Sequence, residues 1–132
     1  MIIVDASVLT NALTDDGPVG MRARTELSND AHWAAPEHLL IEAFSAIRGR
    51  WLDQKISSRR AQEALAALTA ATLDLLDTTA LLPRMWQLRA NVTGYDAAYI
   101  AAAEAYKCTL VTADQRLASA PGIGCTVVMT VK

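Results

Sequence analysis

Long apolar runs are missing from this 132-residue sequence, and so is any marked excess of basic charge. The N-terminus has no basic segment and meets Asp5 after three apolar residues, so we expect neither a signal peptide nor a membrane span. Two cysteines are too few for a disulfide framework. Both Cys108 and Cys125 open apolar runs, which favours buried thiols in a reducing compartment. We therefore expect a cytoplasmic protein that does not contact a membrane.

The balance of charge is nearly even. Twelve basic residues against fourteen acidic ones give a formal net charge of -2, which does not by itself indicate a nucleic-acid binder. If several acids held a metal ion, the remaining surface would be mildly basic. The net charge therefore neither indicates nor excludes binding to nucleic acid. An apolar content of 52% with 20% charged residues is typical of a globular protein, and the length predicts one domain over residues 1–132.

Short apolar runs alternate with helical patterns along the chain. The continuous runs predict buried parallel strands at residues 2–4, 32–35, 73–76, 108–112 and 125–129. Spacing and capping residues predict helices at residues 6–13, 19–27, 37–53 and 80–90, one opening at Ser57 or Ser58, and one opening near Thr93. The alternation predicts an α/β three-layer sandwich, with a central parallel sheet of about five strands flanked by helices.

Two aspartates lie where predicted strands end. Asp5 follows the first strand and Asp114 follows the fourth, so both are expected at the edge of the sheet where ligands bind. Each could instead be the N-cap of the next helix. The neighbouring hydroxyls of Ser7 and Thr112 could orient these acids by hydrogen bonds, as outer-shell groups do for metal ligands, or could merely cap.

Three further acids have competing explanations. Asp96 fits a capping box opened by Thr93, which does not exclude metal binding. It reaches the edge with Asp5 only if its helix runs antiparallel to the strands. Glu42 lies on a largely apolar helix and either joins the other acids or faces water along a narrow polar stripe. Asp77 is explained by capping the following helix and is left out of the predicted site.

Four short motifs follow one another along the chain: VDAS with Asp5, EAFSAIR with Glu42, GYDAAYIAAAE with Asp96, and VTADQRL with Asp114. In this order, and on this alternation of strands and helices, the sequence resembles the PIN-domain family over essentially its whole length. Its compact size is similar to that of the VapC-type toxins of bacterial toxin–antitoxin pairs.

The resemblance implies a ribonuclease in which Asp5, Glu42, Asp96 and Asp114 are the catalytic, metal-binding acids for Mg²⁺ or Mn²⁺. Such hard cations prefer oxygen ligands and complete their shell with water and substrate phosphate oxygens. The resemblance also implies a VapB-type antitoxin that wraps the toxin and covers its site, and a homodimer. One departure is Ser45, which stands where many relatives carry asparagine one turn after the glutamate.

The basic and aromatic residues are less informative. Arg116, two residues from Asp114, is the best candidate for a contact with RNA phosphate, and most other arginines are interpreted as solvated surface. His32 and His38 are interpreted as structural, at a strand start and on a helix surface. The pair Trp51 and Leu52, at the tip of a predicted helical hairpin, indicates either a partner surface or core packing.

Two rival functions remain open from sequence. An aspartyl-phosphate phosphatase also has an aspartate after its first strand, but the second aspartate of its D-x-D-x-T pattern is missing after Asp5, where Ser7 stands. A non-enzymatic α/β binding module would use the same acids only as helix caps. Loss of metal-dependent RNA cleavage on Asp5→Asn would separate the nuclease from this module.

Overall fold

The computed structural model describes residues 1–131, in which five parallel strands form one sheet in the order β3-β2-β1-β4-β5. Their bounds are β1 Ile2–Val4, β2 Trp33–Pro36, β3 Leu73–Leu76, β4 Thr109–Thr112 and β5 Val127–Met129. The predicted strands and the parallel sheet are thus confirmed, with the last strand starting two residues later than expected. Strand order reverses at β1, because β2 and β3 lie on one side of it and β4 and β5 on the other.

Seven α-helices flank the sheet within residues 1–131, as the three-layer prediction requires. Their bounds are α1 Ala6–Thr14, α2 Pro18–Leu27, α3 Leu39–Leu52, α4 Ser58–Ala70, α5 Leu82–Gln87, α6 Gly94–Ala105 and α7 Gln115–Ala118. Helices α2, α3 and α4 pack on α1, whereas α5 packs on α6, and α6 lies against β1, β2 and β4. None of the helices in this part of the chain is long and apolar enough to cross a membrane.

The central strands are buried on both faces, as their uninterrupted apolar sequences indicate. Ile3 and Val4 of β1 and Leu110 of β4 are fully buried. Val4 lies beside Val111 in the register, and the ladder continues one residue further, where the Asp5 amide donates to the Val111 carbonyl at 3.0 Å. The two strand ends are therefore level, and the residues that follow them meet at one edge of the sheet.

The predicted start of α3 is wrong by two residues. Pro36 belongs to β2, and the Glu37 amide donates to the Leu76 carbonyl at 3.3 Å, so both residues continue the sheet rather than open a helix. The helix begins at Leu39 with His38 as its N-cap. The predicted helix at 80–90 is also shorter, since a 3₁₀ turn at Thr79–Leu81 precedes α5.

Helix α6 runs antiparallel to the strands. Only residues 106–108 separate it from β4, and Lys107 takes a left-handed conformation with φ of 54°. The Cys108 amide then donates to the Ala103 carbonyl at 2.9 Å, which closes the turn at the helix C-terminus. Because the chain reverses here, the first turn of α6 lies at the edge where β1 and β4 end.

The two cysteines are free thiols. Both Cys108 and Cys125 are half-buried rather than fully buried as expected, since each stands just before its strand begins.

Candidate active site

Asp5 is held by two hydroxyl groups at the end of β1. Ser7 Oγ donates to Asp5 Oδ2 at 2.6 Å, and Thr112 Oγ1 donates to the same oxygen at 2.7 Å. The side chain is buried and makes no capping bond to α1, although Asp5 occupies the N-cap position. Burial raises the pKa of Asp5, the two hydroxyl hydrogen bonds oppose the rise, and the charges of Glu42 and Asp114 add to it.

The same two hydroxyls tie Asp5 to the segment after β4. Thr112 Oγ1 accepts from the Asp114 amide at 2.9 Å, while Ser7 Oγ accepts from the Ala113 amide at 3.0 Å. Each hydroxyl therefore donates to Asp5 and accepts from the neighbouring backbone, which satisfies both roles of the group. Asp114 itself caps α7, because its Oδ1 accepts from the Arg116 amide at 2.9 Å.

Asp96 lies in the first turn of α6, at the same edge. Its amide donates to Thr93 Oγ1 at 3.2 Å, which is the helix cap that the sequence predicted. Burial and, after it, the charges of Asp5, Asp114 and Glu42 together raise the pKa of Asp96 to about 6. The charges of the other three acids therefore all reach Asp96.

The charge of Glu42 acts on both Asp5 and Asp96, and its carboxylate contacts two side chains of the protein rather than only water. Tyr99 Oη donates to Glu42 Oε1 at 2.8 Å, and His38 Nε2 lies 3.1 Å from the same oxygen, although not aligned as a hydrogen bond. Burial by itself raises the pKa of Glu42, but the contacts with His38 and Tyr99 outweigh it and lower the pKa overall. The interpretation of His38 as a helix-surface residue is therefore wrong.

Tyr99 was missed by the sequence reasoning. A tyrosine one turn after Asp96 in an alanine-rich, buried stretch of helix was the available signal, because a buried phenol needs a hydrogen-bond partner. The partner, Glu42, is 57 residues away and on another helix, so the sequence alone did not name it.

Three of the acids share a pattern of hydrogen bonding. Within residues 1–131, the side-chain contacts described above fall on only one oxygen of each carboxylate: Oδ2 of Asp5, Oε1 of Glu42 and Oδ1 of Asp114. The second oxygen of each is left without a hydrogen-bond donor in the described part of the chain. One oxygen fixes the side chain and the other stays available for a ligand.

The donor set fits a hard divalent cation. Over residues 1–131, no arginine or lysine forms an ion pair with any of the four acids. In the same residues no group of three or more acidic, histidine or cysteine side chains is already close enough together to hold a metal ion. An open arrangement suits Mg²⁺, which takes one or two carboxylates and keeps water and phosphate oxygens in its shell.

A cavity of about 500 Å³ opens beside these acids, with Asp96, Asp114, Thr93 and Arg116 in its wall. Arg116 is exposed, and its guanidinium has no ion-pair partner in the residues described.

The other arginines named here contact other parts of the protein. Arg24 and Arg50 donate to α1 or the turn after it, and Arg59 and Arg60 pair with acids.

Comparison with known proteins agrees with this architecture. The family model described as PIN domain matches residues 2–123, which is most of the chain. The chain therefore belongs to the PIN-domain family.

Within that family, several relatives of the chain are named as VapC ribonucleases. The chain is 38% identical to "Ribonuclease VapC1" of Mycobacterium tuberculosis over 93% of this chain and 92% of the relative. It is 33% identical to "Ribonuclease VapC9" of the same species, over 89% of this chain and 88% of the relative. Among solved structures, a "Toxin-antitoxin complex from Klebsiella pneumoniae" superposes with a TM-score of 0.66 at 18% identity, covering 100% of this chain and 99% of that one. This last likeness supports the fold.

Proposed function

We propose that this chain is the toxin of a toxin–antitoxin pair and cleaves RNA with Mg²⁺ or Mn²⁺ held by Asp5, Glu42, Asp96 and Asp114. The observation that carries the proposal is the gathering of four acids at one edge, without an arginine or lysine paired to them in the described residues. Such a cluster repels itself unless a cation joins it. The names of the VapC relatives support RNA as the substrate.

Each residue would have a definite part in the reaction. Asp5 is the most rigid acid, because two hydroxyls and burial fix it. Asp96, whose pKa is raised to about 6, would be stabilised in its ionised form by a cation held at this edge. A bound divalent ion supplies a better nucleophile from water and offsets the negative charge that builds on the phosphate. Ser7 and Thr112 keep Asp5 and Asp114 in one orientation relative to each other.

RNA would be held in the cavity beside Asp96 and Asp114. Arg116 in its wall provides a positive charge for a phosphate near the scissile bond. Arg116→Met is expected to raise KM for RNA several-fold without changing Mn²⁺ binding, as measured by steady-state kinetics and calorimetry. An unchanged KM would remove Arg116 from the RNA-binding surface.

The rival functions have less support. In a binding module whose acids only cap helices, the Asp5 carboxylate would accept a hydrogen bond from a backbone amide of α1, but it accepts from Ser7 and Thr112 instead. The phosphatase alternative still lacks its second aspartate.

The decisive experiment compares Asp5→Asn with Asp77→Asn. Asp77 also follows a strand at this edge. Its Oδ1 accepts a hydrogen bond from the Thr79 amide at 2.9 Å, and the residue lies outside the acid cluster. Asp5→Asn is expected to abolish Mn²⁺-dependent cleavage of cellular RNA, while Asp77→Asn retains it. Mapping the cleaved RNA ends measures both. Absence of metal-dependent cleavage by the wild type, with Asp5→Asn only less stable, would favour the capping module.

An antitoxin would cover the hairpin of α3 and α4 together with the acidic edge. Phe44, Trp51 and Leu52 on α3 are about half exposed, and Ile41 is 70% exposed, so the hairpin presents apolar area that suits a protein partner. Phe44→Asp is expected to prevent neutralisation by the small protein encoded beside this chain, with cleavage retained. A complex that places this protein on another face would contradict the assignment.

The assembly and location follow from the same proposal. We place a homodimer of this chain, acting as one domain over residues 1–132, in the cytoplasm where its RNA substrate lies. Light scattering on the purified protein measures the dimer directly, and a monomer at micromolar concentration would contradict it.

A further inference from the structure

Glu42 needs an external constraint if it is to act with the other acids. It lies in the first turn of α3, its side chain is 32% exposed, and a glutamate has three side-chain torsions. Asp5 and Asp114 are fixed by hydrogen bonds at the strand ends, but no such contact comes to Glu42 from the sheet in the described residues. Without another donor the Glu42 carboxylate would sample several rotamers.

Tyr99 provides that donor from a rigid position. Its ring is fully buried in α6, so its hydroxyl oxygen has little freedom to move. Tyr99 follows Asp96 by three residues, which places both side chains on the same face of α6. The hydroxyl donates to Glu42 Oε1 at 2.8 Å, and the other oxygen of Glu42 has no hydrogen bond in the part of the chain that the structure describes.

The chemistry of the two groups fixes the direction of this hydrogen bond. The phenol O–H of Tyr99 is the donor, and the ionised carboxylate of Glu42 can only accept. The ring of His38 packs against Tyr99 with 4.9 Å between the ring centroids, which holds the contact from the side.

We propose that Tyr99 is a positioning residue of the nuclease site: its hydroxyl fixes the Glu42 carboxylate so that the free oxygen is presented to the cation. This inference rests on the proposed function, and it extends the site beyond the four acids and the two hydroxyls of Ser7 and Thr112. Partners of metal ligands typically change metal affinity or activity by about 10- to 100-fold when removed.

The test removes one hydroxyl and keeps the ring. Tyr99→Phe is expected to weaken Mn²⁺ binding by about 10-fold in calorimetric titration. At subsaturating Mn²⁺ its kcat falls by a similar factor with KM for RNA unchanged, and excess Mn²⁺ restores kcat. Tyr106→Phe is the matched control, because Tyr106 is 50% exposed at the C-terminal end of α6 and is expected to leave every value unchanged.

A purely structural role for Tyr99 predicts a different outcome. Tyr99→Phe would then lower the unfolding temperature but leave the Mn²⁺ affinity and the Mn²⁺ dependence of kcat as in the wild type, and this result would overturn the inference. Titrating each protein well below its own unfolding midpoint keeps folded proteins in the comparison. If the wild type itself binds no Mn²⁺ and cleaves no RNA, the proposed function fails first, and that outcome is visible before the variant is made.

Discussion

Helix α6 carries a carboxylate in its first turn and another in its last turn, and the two have opposite surroundings. Glu104, near the C-terminal end, has both oxygens engaged: Arg84 Nε donates to Oε1 at 2.6 Å, while Arg84 Nη2 and the Gly124 amide donate to Oε2 at 3.0 and 2.8 Å. Asp96, at the other end, lies among three more acids and pairs with no arginine or lysine in the described residues.

The pKa values record the difference between the two ends. The hydrogen bonds from Arg84 lower the pKa of Glu104, whereas burial and neighbouring negative charges raise the pKa of Asp96 to about 6. A carboxylate that serves stability is given its cation by the chain itself. At the acidic edge no arginine or lysine of the described residues pairs with the acids. The repulsion between them lowers stability, and this indicates a site for a ligand.

The largest expected effect separates activity from stability at the acidic edge. Asp114→Asn keeps the shape and the cap of α7, since asparagine also caps helices well, but it removes a carboxylate charge. We expect cleavage to fall by about 10²-fold or more, as when a group that stabilises transition-state charge is removed. Measurement of kcat/KM on a defined RNA, beside thermal unfolding, checks both effects. Cleavage at the wild-type rate would remove Asp114 from the site.

A smaller effect of opposite kind is expected at the other end of α6. Arg84→Met leaves the Glu104 carboxylate, only 15% exposed, without its cation and should lower the free energy of unfolding by about 2 kcal/mol. Cleavage per folded molecule should not change. The matched control is Arg59→Met, because the pair of Arg59 with Glu63 is exposed and is worth at most about 0.5 kcal/mol. If urea titrations showed that the two variants lose the same free energy of unfolding, the difference proposed between the two ion pairs would be wrong.

The smallest effect is a gain in stability. The raised pKa of Asp96 means that the folded protein holds a proton that the unfolded chain releases near pH 3.8, so stability falls as pH rises from about 4 to 6. Asp96→Asn is expected to prevent this loss of stability, because asparagine does not ionise. A shift of this size corresponds to nearly 3 kcal/mol, and solvent screening at a half-exposed group reduces it to about 1 kcal/mol.

Urea unfolding without divalent ions, at pH 4 and pH 7, measures this gain. Asp96→Asn should be more stable than the wild type at pH 7 and nearly equal to it at pH 4. A variant that is less stable at pH 7 would show that Asp96 serves mainly as a helix residue and not as part of a repelling cluster.

Much of the fold could be predicted from local patterns. The apolar runs of β1 and β4 predicted buried parallel strands, and the rule that parallel strands end at one edge placed Asp5 near Asp114 before any coordinates. The position of Asp96 could not be predicted, because it depends on the direction of α6. That direction is set by a turn at Lys107 in a left-handed conformation, where no glycine signals it.

The contacts of Glu42 were also beyond the sequence. Its partners His38 and Tyr99 come from the N-cap of its own helix and from α6, and the pairing depends on how two helices pack across the sheet edge. The N-cap was misplaced in the prediction because Pro36 and Glu37 resemble a helix start. In the structure their backbone stays with the strands, which moves His38 from a helix surface to the site.

Calorimetric titration of Mn²⁺ into the wild type, Asp5→Asn and Asp77→Asn tests the central claim, that the four acids are a cation site, most directly. The account predicts saturable binding to the wild type and to Asp77→Asn, with binding lost or weakened at least about 10-fold in Asp5→Asn. Equal Mn²⁺ affinity of Asp5→Asn and the wild type, or no binding by any of the three, would contradict it.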